Sequence, residues 1–261
     1  MQCDKCRRRA IIHQRYSGLR LCREHFIADL ESKAKKGIRF NGGLSRNDHI
    51  LLAVHGDYRG CALLHFMAAL TGKRRGVRLS AIVIDPSGAG DDDGLGIRNL
   101  AASLGIRWAA GPWCGDGEEG ALSPKNTDPE RIACEQGATK IVSDTDLDDE
   151  ALFVLAAILK GETERLIGPE QDGRSGMAWI RPFLHIPDRE VALYARETLG
   201  YTGPFARRVP SDPFLHDAQD LLTAHGASHP SAPHALVNLG ERLRRSGIPA
   251  PDGDPAGGRR C

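Results

Sequence analysis

Between residues 48 and 54 the chain runs Asp48-His49-Ile50-Leu51-Leu52-Ala53-Val54, then turns through His55-Gly56-Asp57-Tyr58-Arg59-Gly60 into the apolar stretch Cys61–Leu70. A short apolar run without polar alternation is a strand buried on both faces, and only a parallel sheet covered by helices provides that environment. The pattern repeats. Leu79–Asp85, Ile106–Ala109 and Lys140–Ser143 are strand-like, and helical stretches marked by Ile97, Leu100, Ala101 and Leu104 and by Asp148–Lys160 alternate with them. Strands separated by helices predict an α/β fold with a parallel sheet, whose ligand crevice lies at the carboxyl ends of the strands. His55–Gly60 and Ser143–Asp149 both fall at such ends.

A strand, a glycine-containing turn and a helix N-terminus form the usual seat for an anion, because free backbone N–H groups and the helix dipole point at it. Here the turn offers only Gly56 and Gly60, and Asp57 adds a carboxylate. The scaffold is that of a nucleotide site, and its residues are wrong for a phosphate cradle.

The N-terminal segment carries a different chemistry. Cys3-x2-Cys6 and Cys22-x2-His25 are two ligand pairs fifteen residues apart. Such spacing closes a four-ligand tetrahedral shell, so these residues predict a structural Zn²⁺ site whose binding energy folds a unit otherwise poor in apolar mass. Residues 1–40 are also rich in Lys and Arg, although the whole chain is nearly neutral, with 35 Lys and Arg against 34 Asp and Glu. A basic end on a neutral body suggests a polyanion contact, with Arg7, Arg8, Arg9, Arg15 and Arg20 as candidates.

Five segments follow: a knuckle at 1–27, a helical connector at 28–47, the α/β body at 48–190, a helical C-terminal region at 191–248, and a Pro/Gly/Asp-rich tail at 249–261 expected to be disordered. No apolar run approaches a membrane span and no signal-peptide core precedes the knuckle, so a cytoplasmic protein without membrane contact is expected.

Taken together, these residues resemble the tRNA 2-thiouridine synthetase family, the PP-loop (N-type ATP pyrophosphatase) enzymes of archaeal and eukaryotic cytosolic tRNA thiolation. Cys3-Asp4-Lys5-Cys6 and Cys22-Arg23-Glu24-His25 are similar to the family's knuckle, and Leu147-Asp148-Asp149-Glu150-Ala151 is similar to its Leu-Asp-Asp-Glu-Ala motif. Gly94–Arg98 and Ile180-Arg181-Pro182-Phe183-Leu184 match further segments in order. The resemblance implies a Rossmann-like sheet of the HUP, adenine nucleotide alpha hydrolase-like kind, tRNA as partner, and a homodimer or a heterodimer with an active paralogue.

The departures are as informative. The family's Ser-Gly-Gly-x-Asp-Ser loop is replaced by His55–Gly60, and its Gly-His-Asn by Asp144-Thr145-Asp146. Its Cys-x-x-Cys pair falls on Glu118 and Ala121, with Cys114 nearby, and Asp212 stands where a later thiol belongs. Cys61 and Cys134 fall on predicted helices, as core thiols. These losses put ATP and Mg²⁺ in doubt, argue against an iron–sulfur cluster, and point to a catalytically degenerate paralogue rather than an enzyme. Two alternatives stay open: an active sulfurtransferase in which Arg59 binds phosphate and Cys114 carries sulfur, and a zinc-dependent protein-interaction module. Asp148 and Asp149 fit either helix capping or a nucleotide and Mg²⁺ role, with Asp149 also a candidate catalytic group.

Overall fold

The computed structural model describes residues 1–72, 74, 76–85, 95–108, 128–167, 177–203 and 212–246. Its first unit is a small hairpin of β1 (Ile12–Gln14) and β2 (Leu19–Leu21), paired antiparallel. Gly18, at φ +74°, makes the tight turn between them, in a conformation that glycine adopts without steric cost. Helix α1 (Arg23–Phe40) follows directly, with Cys22 as its N-cap, and buries Phe26, Leu30, Ala34 and Ile38 at helical spacing.

The body alternates as the sequence predicts: β3 (His49–His55), α2 (Tyr58–Thr71), β4 (Arg78–Asp85), α3 (Leu95–Ser103), β5 (Arg107–Trp108), α4 (Pro129–Gln136), β6 (Lys140–Ser143) and α5 (Leu147–Lys160). A 3₁₀ turn (Thr163–Leu166), β7 (Ala178–Ile180), α6 (Asp188–Leu199), α7 (Pro213–Ser228) and α8 (Ala232–Arg245) complete it. Among the described residues the five strands form a parallel α/β sheet in the order β5-β4-β3-β6-β7. The chain leaves β3 toward β4 on one side and returns to β6 on the other, so the β3–β6 boundary is the switch point.

One face of the sheet packs Ile50, Leu52 and Val54 against α1, α2 and α6 through Phe26, Leu63, Phe66 and Tyr194; the other packs Leu51 and Ala53 against Ile132 and Ala133 of α4. Every residue from Ile50 to Val54 is fully buried, which accounts for the unbroken apolar run. No described helix is long and apolar enough to cross a membrane. Cys114, Gly94, Glu118, Ala121 and the tail lie outside the described residues.

Candidate functional site

The six-residue turn expected at residues 55–60 is shorter. Asp57 is an N-cap whose side chain accepts from the Arg59 N–H at 2.9 Å, so α2 already begins at Tyr58. Gly60 lies inside the helix, pressed onto the sheet. A Cβ there would come within 2.1 Å of the His55 carbonyl oxygen and 2.7 Å of Ile97 Cδ1.

Arg59, expected as a possible phosphate ligand, turns back into the protein and its side chain is only 5% exposed. Its Nε and Nη2 donate to Asp57 Oδ2 at 3.0 and 2.6 Å, and its Nη1 donates to Asp149 Oδ2 at 2.9 Å. Burial works against its charge, and the carboxylates of Asp149 and Asp57 outweigh it, holding the guanidinium above its ordinary range. Burial likewise works to raise Asp57, but Arg59 keeps it below the usual carboxylate range. A cation in the first turn of a helix opposes the dipole, so these carboxylates stabilise both the ion and the helix end.

Beside this clamp, the His55 N–H donates to Asp144 Oδ2 at 2.8 Å while its Nδ1 lies 2.7 Å from Asp144 Oδ1. Asp144 is fully buried and raises His55 above its ordinary value. Asp146, expected only as part of the segment that replaces Gly-His-Asn, caps α5 by accepting from the Asp148 and Asp149 N–H groups, both at 2.9 Å. That frees the two acids. Asp149 clamps Arg59, and Asp148 accepts from the Asp188 N–H at 2.7 Å, at the start of α6. Tyr58 Oη donates to Asp188. The switch point thus carries the protein's own ion pairs, with Asp57, Asp144 and Asp149 set against Arg59 and His55.

The knuckle residues converge. The ligand atoms of Cys3, Cys6, Cys22 and His25 all lie within 4.8 Å of one another. Cys3 Sγ and Cys22 Sγ are 3.5 and 3.4 Å from His25 Nδ1, and Cys6 Sγ is 3.7 Å from Cys22 Sγ. These are edge lengths of a tetrahedron whose centre lies about 2.0–2.3 Å from each ligand, so the residues fit a metal ion. Burial acts to raise the Cys3 thiol, yet hydrogen bonds from the Cys22 and Lys5 backbone and from His25 bring it down to about 6, favouring the metal-ready thiolate.

Of the five arginines expected to face a polyanion, Arg8 pairs with Glu24, and Arg20 with Asp4 at 3.2 Å. Arg7, Arg9 and Arg15 are exposed and have no carboxylate partner among the described residues. Arg15 and Tyr16 form one wall of a cleft of about 520 Å³, closed by Leu147, Asp148 and Leu152 of α5, Asp188 and Arg189 of α6, and Leu222 of α7. Glu190, together with Gln14, which carries no expectation from sequence, holds that wall in place: Gln14 Nε2 donates to Glu190 Oε2 and to Asp29 Oδ2, both at 3.0 Å.

Of the two thiols expected in the core, Cys61 is buried, and burial pushes its thiol up to about 12. Cys134 differs. It is half-buried on α4 and disulfide-bonded, its partner lying outside the described residues. Asp212 caps α7, accepting from the Phe214 N–H at 3.0 Å.

Residues 2–27 match the family model of the N-terminal LIM domain of the 2-thiouridine synthetase TtuA. The chain is 25% identical to the tRNA 2-thiolation protein NcsA of Haloferax volcanii, over 93% of this chain and 87% of that protein. It is 27% identical to the cytoplasmic tRNA 2-thiolation protein 1 of Bos taurus, over 93% and 78%. Among solved structures, the U34-tRNA thiolase NcsA from Methanococcus maripaludis with its [4Fe-4S] cluster superposes at a TM-score of 0.74, covering 93% of this chain and 88% of that one at 21% identity.

Over nearly its whole length the chain is thus similar to tRNA 2-thiolation proteins of the TtuA/NcsA type. One expectation is corrected by this likeness. The sequence reading argued against an iron–sulfur cluster, but the family's M. maripaludis thiolase shares the fold and carries one. The knuckle of this chain brings three thiol donors and one imidazole together at spacings that suit a single ion. The absent Cys-x-x-Cys pair and the later thiol replaced by Asp212 do not outweigh that finding.

Proposed function

We propose that this protein is a tRNA-binding member of the 2-thiolation family in which the nucleotide crevice is closed by internal ion pairs, so that the fold serves to hold tRNA, or an active relative, rather than to adenylate a uridine. The observation that carries this reading is Arg59. Its guanidinium lies between the first turns of α2 and α5, bound to Asp57 and Asp149, while Asp57 also takes the Arg59 N–H that an anion would need.

Two features support it. A triphosphate entering here meets the carboxylates of Asp57, Asp144 and Asp149, and like charges at close range in a partly buried site repel strongly. Position 60, where the resembling family's loop has a serine, has no room for a Cβ. An active variant using Arg59 as its phosphate ligand would have to break two part-buried ion pairs first, which argues against that alternative.

The knuckle, with a metal held by Cys3, Cys6, Cys22 and His25, presents Arg7, Arg9 and Arg15 on its surface as tRNA contacts. The test is calorimetry of the full chain with ATP and Mg²⁺, alongside filter binding of a tRNA transcript. The expected result is no heat of ATP binding and salt-sensitive retention of tRNA. Micromolar ATP affinity would overturn the closed-crevice reading, and failure to retain tRNA would overturn the binding role.

A further inference from the structure

The opposite end of the sheet carries a second cationic feature. A groove of about 370 Å³ opens at the amino ends of β3, β4 and β5, lined by His49, Thr71, Arg74, Arg78 and Arg107 among others. Strand register explains why these side chains gather. His49 pairs with Arg78 across β3 and β4, and Ser80 pairs with Arg107 across β4 and β5. Paired residues of a parallel ladder project to the same face, so two arginines from neighbouring strands share one edge with His49.

His49 is 93% buried (7% exposed), and its Nε2 lies 3.0 Å from Ser80 Oγ. The three arginines are exposed. None of them has a carboxylate partner among the described residues; Arg74 donates only to the Leu44 carbonyl, at 3.4 Å. The potential there is positive enough to act on its neighbour: burial first, and then Arg78, hold His49 below its ordinary range. Lys73 and Arg75, which lie outside the described residues, add the same sign in sequence.

We propose that this amino-end edge is an RNA-backbone site, in which Arg74, Arg78 and Arg107 take successive phosphodiesters of a bound tRNA. The inference rests on the tRNA-binding reading above and deepens it. The seven residues of β3 run from His49 to His55, six steps or roughly 20 Å of strand, which exceeds the screening length of about 8–10 Å at physiological salt. The acidic crevice therefore does not cancel the edge. Unpaired, exposed guanidinium groups in an open polar groove suit a repeating anion, and they gain little from an apolar partner.

The experiment compares the full chain with its Arg74→Glu/Arg78→Glu/Arg107→Glu variant in tRNA filter binding at two salt concentrations. The Lys triple at the same positions, an Arg7→Glu/Arg9→Glu/Arg15→Glu knuckle variant and an Arg131→Glu/Arg165→Glu control are measured beside it. The Glu triple is expected to lose about tenfold or more in affinity and to flatten the salt slope by roughly 2 to 3, at an unchanged melting temperature. The Lys triple should bind close to wild type, because phosphate accepts a point charge. If the Glu triple binds like wild type while the knuckle variant is weakened, the edge site is wrong and the tRNA reading stands. If the control loses as much as the Glu triple, the effect is bulk charge and the site is again wrong. If wild type itself retains no tRNA, the functional reading falls and the edge site with it.

Discussion

Arg59 Nη1 lies 2.9 Å from Asp149 Oδ2, joining the first turn of α2 to the first turn of α5 across the switch point of the sheet. In a nucleotide-binding sheet of this order the space between those two helix ends is where a phosphate chain sits. Here a side-chain cation from one end and a carboxylate from the other meet in it. The carboxylates of Asp57 and Asp149 do at these helix N-termini the electrostatic work that a bound anion would otherwise do, and Arg59 balances their charge.

Replacing Arg59 with Met should therefore destabilise the protein even though no ligand is lost. Removing one member of a buried charge cluster leaves Asp57 and Asp149 without their counter-ion, and such a break costs about 3–5 kcal/mol when the partners are fully buried. Asp149 is 28% exposed, so about 2–3 kcal/mol is expected, read from denaturant midpoints. The triple variant Asp57→Asn/Arg59→Met/Asp149→Asn should recover most of that loss. A single Arg59→Met variant as stable as wild type would show that the clamp contributes nothing.

Gly60→Ala tests the packing under the same helix. The new Cβ would meet the His55 backbone oxygen at 2.1 Å, and backbone cannot swing aside as a side-chain tip does. The α2 N-terminus must lift from β3, at about 1–3 kcal/mol or more. Gly96→Ala, where a Cβ meets nothing within 4 Å, is the matched control and should change stability by less than about 0.5 kcal/mol.

How far the sequence carried the structure can be seen at these positions. β3 and α2 were legible because burial on both faces leaves a continuous apolar signature at Ile50–Val54 and Cys61–Leu70. The knuckle was legible because its four ligands are set by local spacing. β7 was not: three residues, with Trp179 half-buried, carry no period, and only pairing with β6 makes them a strand. Asp57 looked like a loop residue when it is a helix cap, because the turn was read with a phosphate in mind. Arg59 could not be placed at all from sequence, since its partner Asp149 is 90 residues away. Gln14 and Glu190 failed for the same reason, lying 176 residues apart.

The His55–Asp144 pair predicts a pH dependence of definite sign. Asp144 raises His55 above its ordinary value of 6.5, so the charged imidazole is favoured in the folded chain. Its stabilisation is fully present below the unfolded value of about 6.5 and is lost as pH rises through the higher folded value. Melting temperature should fall more steeply as pH rises above about 6.5 in wild type than in Asp144→Asn, which keeps an acceptor for the His55 N–H but removes the charge. Parallel slopes in the two proteins would refute the assignment.

Gln14 joins the knuckle to the body through two carboxylates, Asp29 and the fully buried Glu190. Gln14→Leu removes both donors while adding apolar bulk, and leaves Glu190 with Tyr16 Oη at 3.1 Å as its remaining donor at hydrogen-bond distance. A cost of about 1–3 kcal/mol is expected. The knuckle should also become more open to protease than in wild type, which limited digestion followed by mass measurement would reveal. Unchanged digestion would mean that Leu21 and Phe26 alone keep it docked.

Metal removal bears on the same unit from the other side. Leu21 and Phe26 are fully buried against α1 and the body, and their placement depends on the chain path through Cys22 and His25. If the four ligands share a metal, its binding energy is part of the folding energy, so a strong chelator should lower the melting temperature and added metal should restore it. Cys6→Ser/Cys22→Ser should lower both the metal content, measured by elemental analysis after anaerobic purification, and the melting temperature. Cys61→Ser serves as the control, because that thiol is buried on α2, its ionisation pushed by burial far above neutral pH, and lies outside the ligand group. Full metal content in the double variant would place the metal elsewhere in the chain, and a chelator without effect on melting would mean that the knuckle holds its shape through Gln14, Leu21 and Phe26 without one.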